Sequence, residues 1–188
     1  AARQVSLTEL GSIKINKEER TKMLKTIPRN SIIGFLIGVL PGAGATIASF
    51  LAYGMERNLV SDEEKEKFGK GSVHGLAAPE TANNAACSGA FVPLLTLGIP
   101  GSGTTAVMLG ALLGFGIQPG PRLYVTNPEI FWSVIMSMYI GMVILLILNL
   151  PLIPYIARIL AIPKNYLIPL ILFFSITGIY VMSFNNFD

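Results

Sequence analysis

The chain has 188 residues, with 14 basic and 11 acidic side chains for a net charge of +3, and it is 52% hydrophobic and only 13% charged. A soluble domain carries about 25% charged residues, and a mean hydropathy of +0.59 means more apolar surface than a soluble core of this length can bury. This composition speaks against a soluble enzyme, a disordered scaffold and a disulfide-knit secreted domain, and it makes lipid the expected solvent.

Residues 1–29 read as a basic flank. Seven of the fourteen basic residues lie there, Arg3, Lys14, Lys17, Arg20, Lys22, Lys25 and Arg29, against Glu9, Glu18 and Glu19. No base-stacking aromatics are interleaved, so no nucleic-acid partner is expected, and the positive-inside rule puts the flank in the cytoplasm. The polar start has no apolar core of a secretory signal peptide, and the abrupt ends suggest a piece of a longer membrane protein.

Residues 30–188 read as a transmembrane domain, because four runs carry neither charge nor histidine: 30–55, 81–121, 130–157 and 165–187. A simple span takes about 20 apolar residues. Segments 130–150 and 166–184 meet that without interruption, whereas segments 31–55 and 79–118 are each cut by a Pro-Gly cluster that ends or kinks a helix. Between them, 56–71 is hydrophilic. Ser61 and Glu64 suggest a capping box and Gly69 and Gly71 a stop, predicting a short surface helix. Pro151, Pro154 and Pro163, with Arg158 and Lys164, predict an interfacial turn between the last two spans. The expected fold class is all-α: a polytopic membrane protein with interrupted helices, which either re-enter as hairpins or cross fully. If segment 31–53 is a hairpin, each arm of about 10 residues reaches roughly 15 Å, half a bilayer. The basic residues within 56–71 favour that hairpin over a full crossing.

The two breaks repeat one pattern. Pro41-Gly42-Ala43-Gly44-Ala45-Thr46 and Pro100-Gly101-Ser102-Gly103-Thr104-Thr105 both read P-G-x-G-x-T, 59 residues apart. Irregular backbone at membrane depth is tolerated only where protein or a watery cavity satisfies its amides, so two such breaks imply a polar cavity. Pro41 and Pro100 act as helix breakers, the glycines admit a ligand close to the backbone, and the helix that resumes offers free N–H groups and a positive dipole end. That chemistry suits an anion, a carboxylate or phosphate. The candidate substrate-binding residues are Gly42, Ala43, Gly44, Ala45, Thr46, Gly101, Ser102, Gly103, Thr104 and Thr105. Neither copy ends in Gly-Lys-Ser/Thr, which argues against a nucleotide loop.

A second constellation runs from Ala78 to Gly89. Pro79 is placed in the first turn of a helix on which Glu80, Asn83, Asn84 and Cys87 share a face. Carboxylate and carboxamide oxygens suit Na⁺, and a desolvated Glu80 suits a proton, so Glu80, Asn83 and Asn84 are the candidate coupling-ion residues. Cys87, the single cysteine, reads as a small buried apolar residue, and His74 as a surface or packing residue. Trp132, Tyr139 and Tyr124 suggest interfacial anchoring or helix packing, and the methionines and phenylalanines lipid-facing filler. No catalytic residue, metal ligand or cofactor motif is found, so no enzyme is expected.

Four ordered stretches together resemble the large membrane subunit of the tripartite tricarboxylate transporters. They are Ile32 to Thr46, Phe68-Gly69-Lys70-Gly71, Ala78 to Ala86 and Leu97 to Ser102, and Pro119-Gly120-Pro121 also fits. The resemblance covers the second half of that subunit, which implies one half of an internal-repeat transporter. It further implies a multi-pass protein of the bacterial inner membrane importing organic carboxylates by secondary active transport. In that family a periplasmic solute-binding protein delivers the substrate, a small four-helix membrane subunit accompanies the permease, and a Na⁺ or H⁺ gradient drives uptake. The alternative on the residues alone is a passive anion channel lined by the same tips.

Overall fold

The computed structural model describes residues 15–157 and 164–182. Those residues form an all-α structure in two compact units, one taking in the described residues up to Met136 and the other those from Ser137 onward.

In the first unit, α1 (Lys17–Val39) opens on Asn16, whose side chain accepts from the Glu19 amide while the Glu19 carboxylate accepts from the Asn16 amide. This reciprocal cap and the acidic Glu18 and Glu19 in the first turn explain why the helix begins inside the basic flank. It runs through Pro28 without ending. A tip at 40–43 reverses the chain into α2 (Gly44–Leu59). Arg29 and Glu56, which bound the charge-free run, are bonded to each other at 2.6 Å. The run is therefore a hairpin whose ends meet, with arms of about ten residues and roughly 15 Å.

The predicted surface helix is cut short. After α2 comes the single turn α3 (Asp62–Lys65), then a tight turn in which Gly69 and Gly71 have positive φ. Ser61 does not cap with its side chain, and the Glu64 carboxylate that would complete a reciprocal cap is held instead by Lys22 at 3.1 Å and Lys67 at 2.7 Å, charge-assisted bonds stronger than one to a backbone amide.

Helix α4 (Val73–Gly89) starts at the Ser72 cap, six residues before the start expected from Pro79. Pro79 sits inside it, and the carbonyl oxygen of Pro79 accepts from Ser49 Oγ at 3.2 Å. α4 packs against both α1 and α2 around the buried alanines Ala48, Ala52, Ala82 and Ala86. A Cβ on Gly34 or Gly38 would run into the backbone of Ala82 or Ala86, and one on Gly89 into the carbonyl oxygen of Phe35. Helices meeting backbone to backbone through small residues are the arrangement van der Waals packing favours where lipid removes the hydrophobic drive. Phe68 is an exception to the lipid-facing aromatics: it is buried edge-on against Tyr53.

Beyond Ala90, α5 (Phe91–Leu97) ends in left-handed Gly98, the second tip follows, and α6 (Gly103–Gly114) resumes. The loop after α6 returns to α5, where the Gly120 amide donates to the Leu95 carbonyl oxygen at 3.2 Å. The one-turn α7 (Leu123–Thr126) leads to α8 (Pro128–Ala157), whose start carries edge-to-face contacts of Phe131 with Tyr124 and Trp132.

Helix α8 continues into the second unit and runs on through positions 151 and 154, so the expected turn does not begin there. In a predominantly apolar helix at membrane depth the backbone has few other partners, which favours continuing the helix through a proline over ending it. Of the rest of that turn, Lys164 opens α9, while Pro163 and Arg158 lie outside the described residues, as do Arg3 and Lys14. Pro128–Ile153 is long and apolar enough to cross a membrane, at a mean hydropathy of 2.4, and α9 (Lys164–Met182) is a shorter apolar helix.

Candidate functional site

The two tips meet. The Gly42 amide donates to the Gly101 carbonyl oxygen at 3.4 Å, and a cavity of about 640 Å³ lies against both, lined by Gly42, Gly44, Ala45, Thr46, Cys87, Phe91 and 100–106. Nine of the ten residues assigned to substrate from sequence therefore border one space. Ala43 does not: its amide is turned back to the Leu40 carbonyl oxygen at 3.2 Å, closing the tip on itself.

The copies differ in geometry despite their shared pattern. At the first, Gly42 and Gly44 have φ of +85° and +68°, a region that only glycine visits without strain. Ala43 is helical there and α2 has no side-chain cap. The amides of Gly44, Ala45 and Thr46 thus open a 16-residue helix whose first turn supplies them no acceptor. At the second, Ser102 is extended and caps α6. Its Oγ accepts from the Thr105 amide at 3.2 Å, and Thr105 Oγ1 accepts from the Ser102 amide at 2.8 Å. Ser102 and Thr105 are occupied with each other, and Thr105 is buried. Gly103 and Thr104 remain open to the cavity, and the hydroxyl-bearing residues left exposed there are Thr46 and Thr104.

The residues assigned to a coupling ion share α4 but not one pocket. Glu80 is exposed and borders a separate cavity of about 800 Å³ beside Tyr53, Gly71 and Leu76. Asn83 Nδ2 donates to Ser49 Oγ at 3.2 Å, and Asn84 Nδ2 to the Glu80 carbonyl oxygen at 3.0 Å. Among the described residues no three His, Cys, Asp or Glu side chains are grouped to hold a metal ion. Cys87 is exposed, not buried as its residue type suggested, and it lines the cavity at the tips.

Sequence reasoning missed a polar cluster at the base of the hairpin. Glu56 is fully buried and accepts from Arg29 at 2.6 Å on both oxygens, from Asn30 Nδ2 at 2.9 Å and from Thr26 Oγ1 at 3.0 Å. His74 Nδ1 lies 2.7 Å from Thr26 Oγ1 and 3.2 Å from Glu56 Oε1. Thr26 has one proton, so when it donates to Glu56 the imidazole must donate to Thr26 through Nδ1–H. Burial pushes the Glu56 carboxyl up, but the hydrogen bonds from Arg29, Asn30 and Thr26 and the guanidinium charge outweigh it and hold the carboxyl below its ordinary range. The signal for Arg29 and Glu56 was present: opposite charges bound a run with a break in its middle. His74, far from Thr26 in sequence, carried none.

The profile of the family described as "Tripartite tricarboxylate transporter TctA family" matches residues 2–188. Two proteins of Agrobacterium vitis are similar. One, "Uncharacterized 52.8 kDa protein in TAR-I ttuC' 3'region", is 42% identical over 186 residues, which is 99% of this chain and 37% of that protein. The other, "Uncharacterized protein in TAR-II ttuC' 3'region", is 46% identical over 155 residues, 82% of this chain and 63% of that protein. The chain thus spans a little over a third of the first and less than two thirds of the second. No solved structure matches the chain.

Proposed function

Because the chain belongs to the tripartite tricarboxylate transporter TctA family, we propose that it forms part of a permease that imports organic carboxylates across a bacterial inner membrane. The gradient of a cation, Na⁺ or H⁺, drives uptake. A periplasmic solute-binding protein delivers the substrate and a small four-helix membrane subunit accompanies the permease. The observation that carries this reading is the meeting of two helix breaks in one cavity, with uncapped first-turn amides of α2 and Gly103 and Thr104 of α6 facing it. A carboxylate accepts from such amides and is favoured by both dipole ends.

Glu80 is assigned to the cation, with Asn83 and Asn84 on the same helix. Glu80 and the cavity residue Cys87 are seven residues apart on α4, about 10 Å along its axis, so a cation bound at one end lies within electrostatic reach of an anion at the other. The basic flank is cytoplasmic, and the hairpin brings both of its ends back to that side.

Uptake of labelled citrate and smaller dicarboxylates into vesicles tests the reading, using the complete permease with and without its binding protein under imposed Na⁺ or H⁺ gradients. Accumulation that requires the binding protein and one gradient is expected. Flux that only equilibrates would instead identify a passive channel. Thr46→Val with Thr104→Val should weaken apparent affinity about tenfold, the scale of lost hydrogen bonds to a charged ligand.

A further inference from the structure

The tips form only one side of the cavity. On another side lie Cys87, in the last turn of α4, and Phe91, the first residue of α5, one helical turn apart. Cys87 is a free, exposed thiol and Phe91 is half-buried. None of the residues around the cavity is charged. Backbone amides and two hydroxyls therefore supply the attraction for carboxylate groups, and the thiol and the ring supply a surface that only excludes or admits.

That surface cannot retreat. Ala86, next to Cys87, is buried with its backbone against Gly38 of α1, and Gly89 two residues on is set against the backbone of Phe35. No rotamer change relieves a contact between backbones, so α4 is fixed at this level and a larger side chain at position 87 must take its volume from the cavity. Resting on the carboxylate reading above, we infer that Cys87, with Phe91, is the selective wall of the site and that its side chain sets how large a carboxylate the cavity holds.

The complete permease in vesicles, treated with the anionic thiol reagent sulfonatoethyl methanethiosulfonate, tests this. The thiolate displaces methanesulfinate and forms a mixed disulfide, which mass spectrometry of the peptide bearing Cys87 reads directly. Modification is expected to reduce citrate uptake at least about tenfold, the scale on which a fitted pocket rejects extra volume. Citrate or succinate present beforehand should slow the modification. The Cys87→Ala permease, whatever its own uptake, should not respond to the reagent through this chain. Cys87→Leu should raise the KM for citrate about tenfold relative to that for succinate.

Complete modification with unchanged uptake, a thiol that never reacts, or reaction at the same rate with and without carboxylate would each overturn the assignment. Protection is read by mass and needs no transport. Protection without gradient-driven uptake would thus keep the wall and overturn coupled import, and uptake indifferent to modification would do the reverse.

Discussion

Gly42 donates its amide hydrogen to the carbonyl oxygen of Gly101 at 3.4 Å, joining two turns that lie 59 residues apart in the chain. The bond is long and therefore weak. It brings the second tip against the end of the hairpin opposite the Arg29–Glu56 pair, about 15 Å along the arms by the helical rise.

Glycines around this contact serve different ends, and their substitution separates them. Gly38→Ala thrusts a methyl group into the backbone of Ala86 and should cost about 1–3 kcal/mol as overpacking. Gly44→Ala meets open space but must hold φ near +68°, for about 1–2 kcal/mol. Gly110→Ala, in the middle of α6 with nothing nearby, should stabilise by about 0.5–1 kcal/mol. Thermal unfolding in detergent gives the order, and an equal loss for all three would contradict the packing described.

Removing Arg29 leaves a fully buried carboxylate without its cation. Arg29→Ala is expected to cost about 3–5 kcal/mol. Glu56→Gln should cost less, because Arg29 is partly exposed and keeps water as a partner. Denaturant midpoints of the two variants check the sequence of losses; a milder Arg29→Ala would contradict it.

The same carboxylate sets a pH response. Its folded pKa lies below its unfolded one, so its contribution is complete above the ordinary carboxylate range and disappears as pH falls through the lower folded value. The charged and titratable partners facing it are Arg29 from α1 and His74 from α4. Midpoints measured from pH 7 down to pH 3 should fall more steeply for the parent than for Glu56→Gln.

The cap on α6 can be removed alone. Ser102→Ala should destabilise by about 1 kcal/mol and release the Thr105 amide toward the cavity. Stability then falls while carboxylate affinity is retained or raised, as equilibrium binding of labelled citrate would show. A fall in both would mean that Ser102 itself holds the ligand.

Much of this was legible from the sequence, for physical reasons that can be named. Pro-Gly pairs inside charge-free runs break helices wherever they stand, so both tips were found. Which amides stay free was not found, since that depends on Ser102 and Ala43 occupying the same place in the pattern with one able to cap and the other not. Position 79 misled because proline suits a first turn and is also tolerated inside a membrane helix, where surrounding protein re-satisfies the freed backbone groups. Cys87 misled because the burial typical of its residue type is an average, whereas here its side chain borders the cavity at the tips.

The backbone contacts at Gly34, Gly38 and Gly89 bear on how such a protein can move. Side chains that interdigitate can hop between rotamers and let helices slide, but main chains in direct contact have no such gearing. The hairpin and α4 are thus a single wedge, and any rearrangement that opens the cavity first to one face and then to the other must carry the wedge whole. Against it rests the second tip, through the bond from Gly42 to Gly101 and the close approach of Gly101 to Gly38 and Ala90.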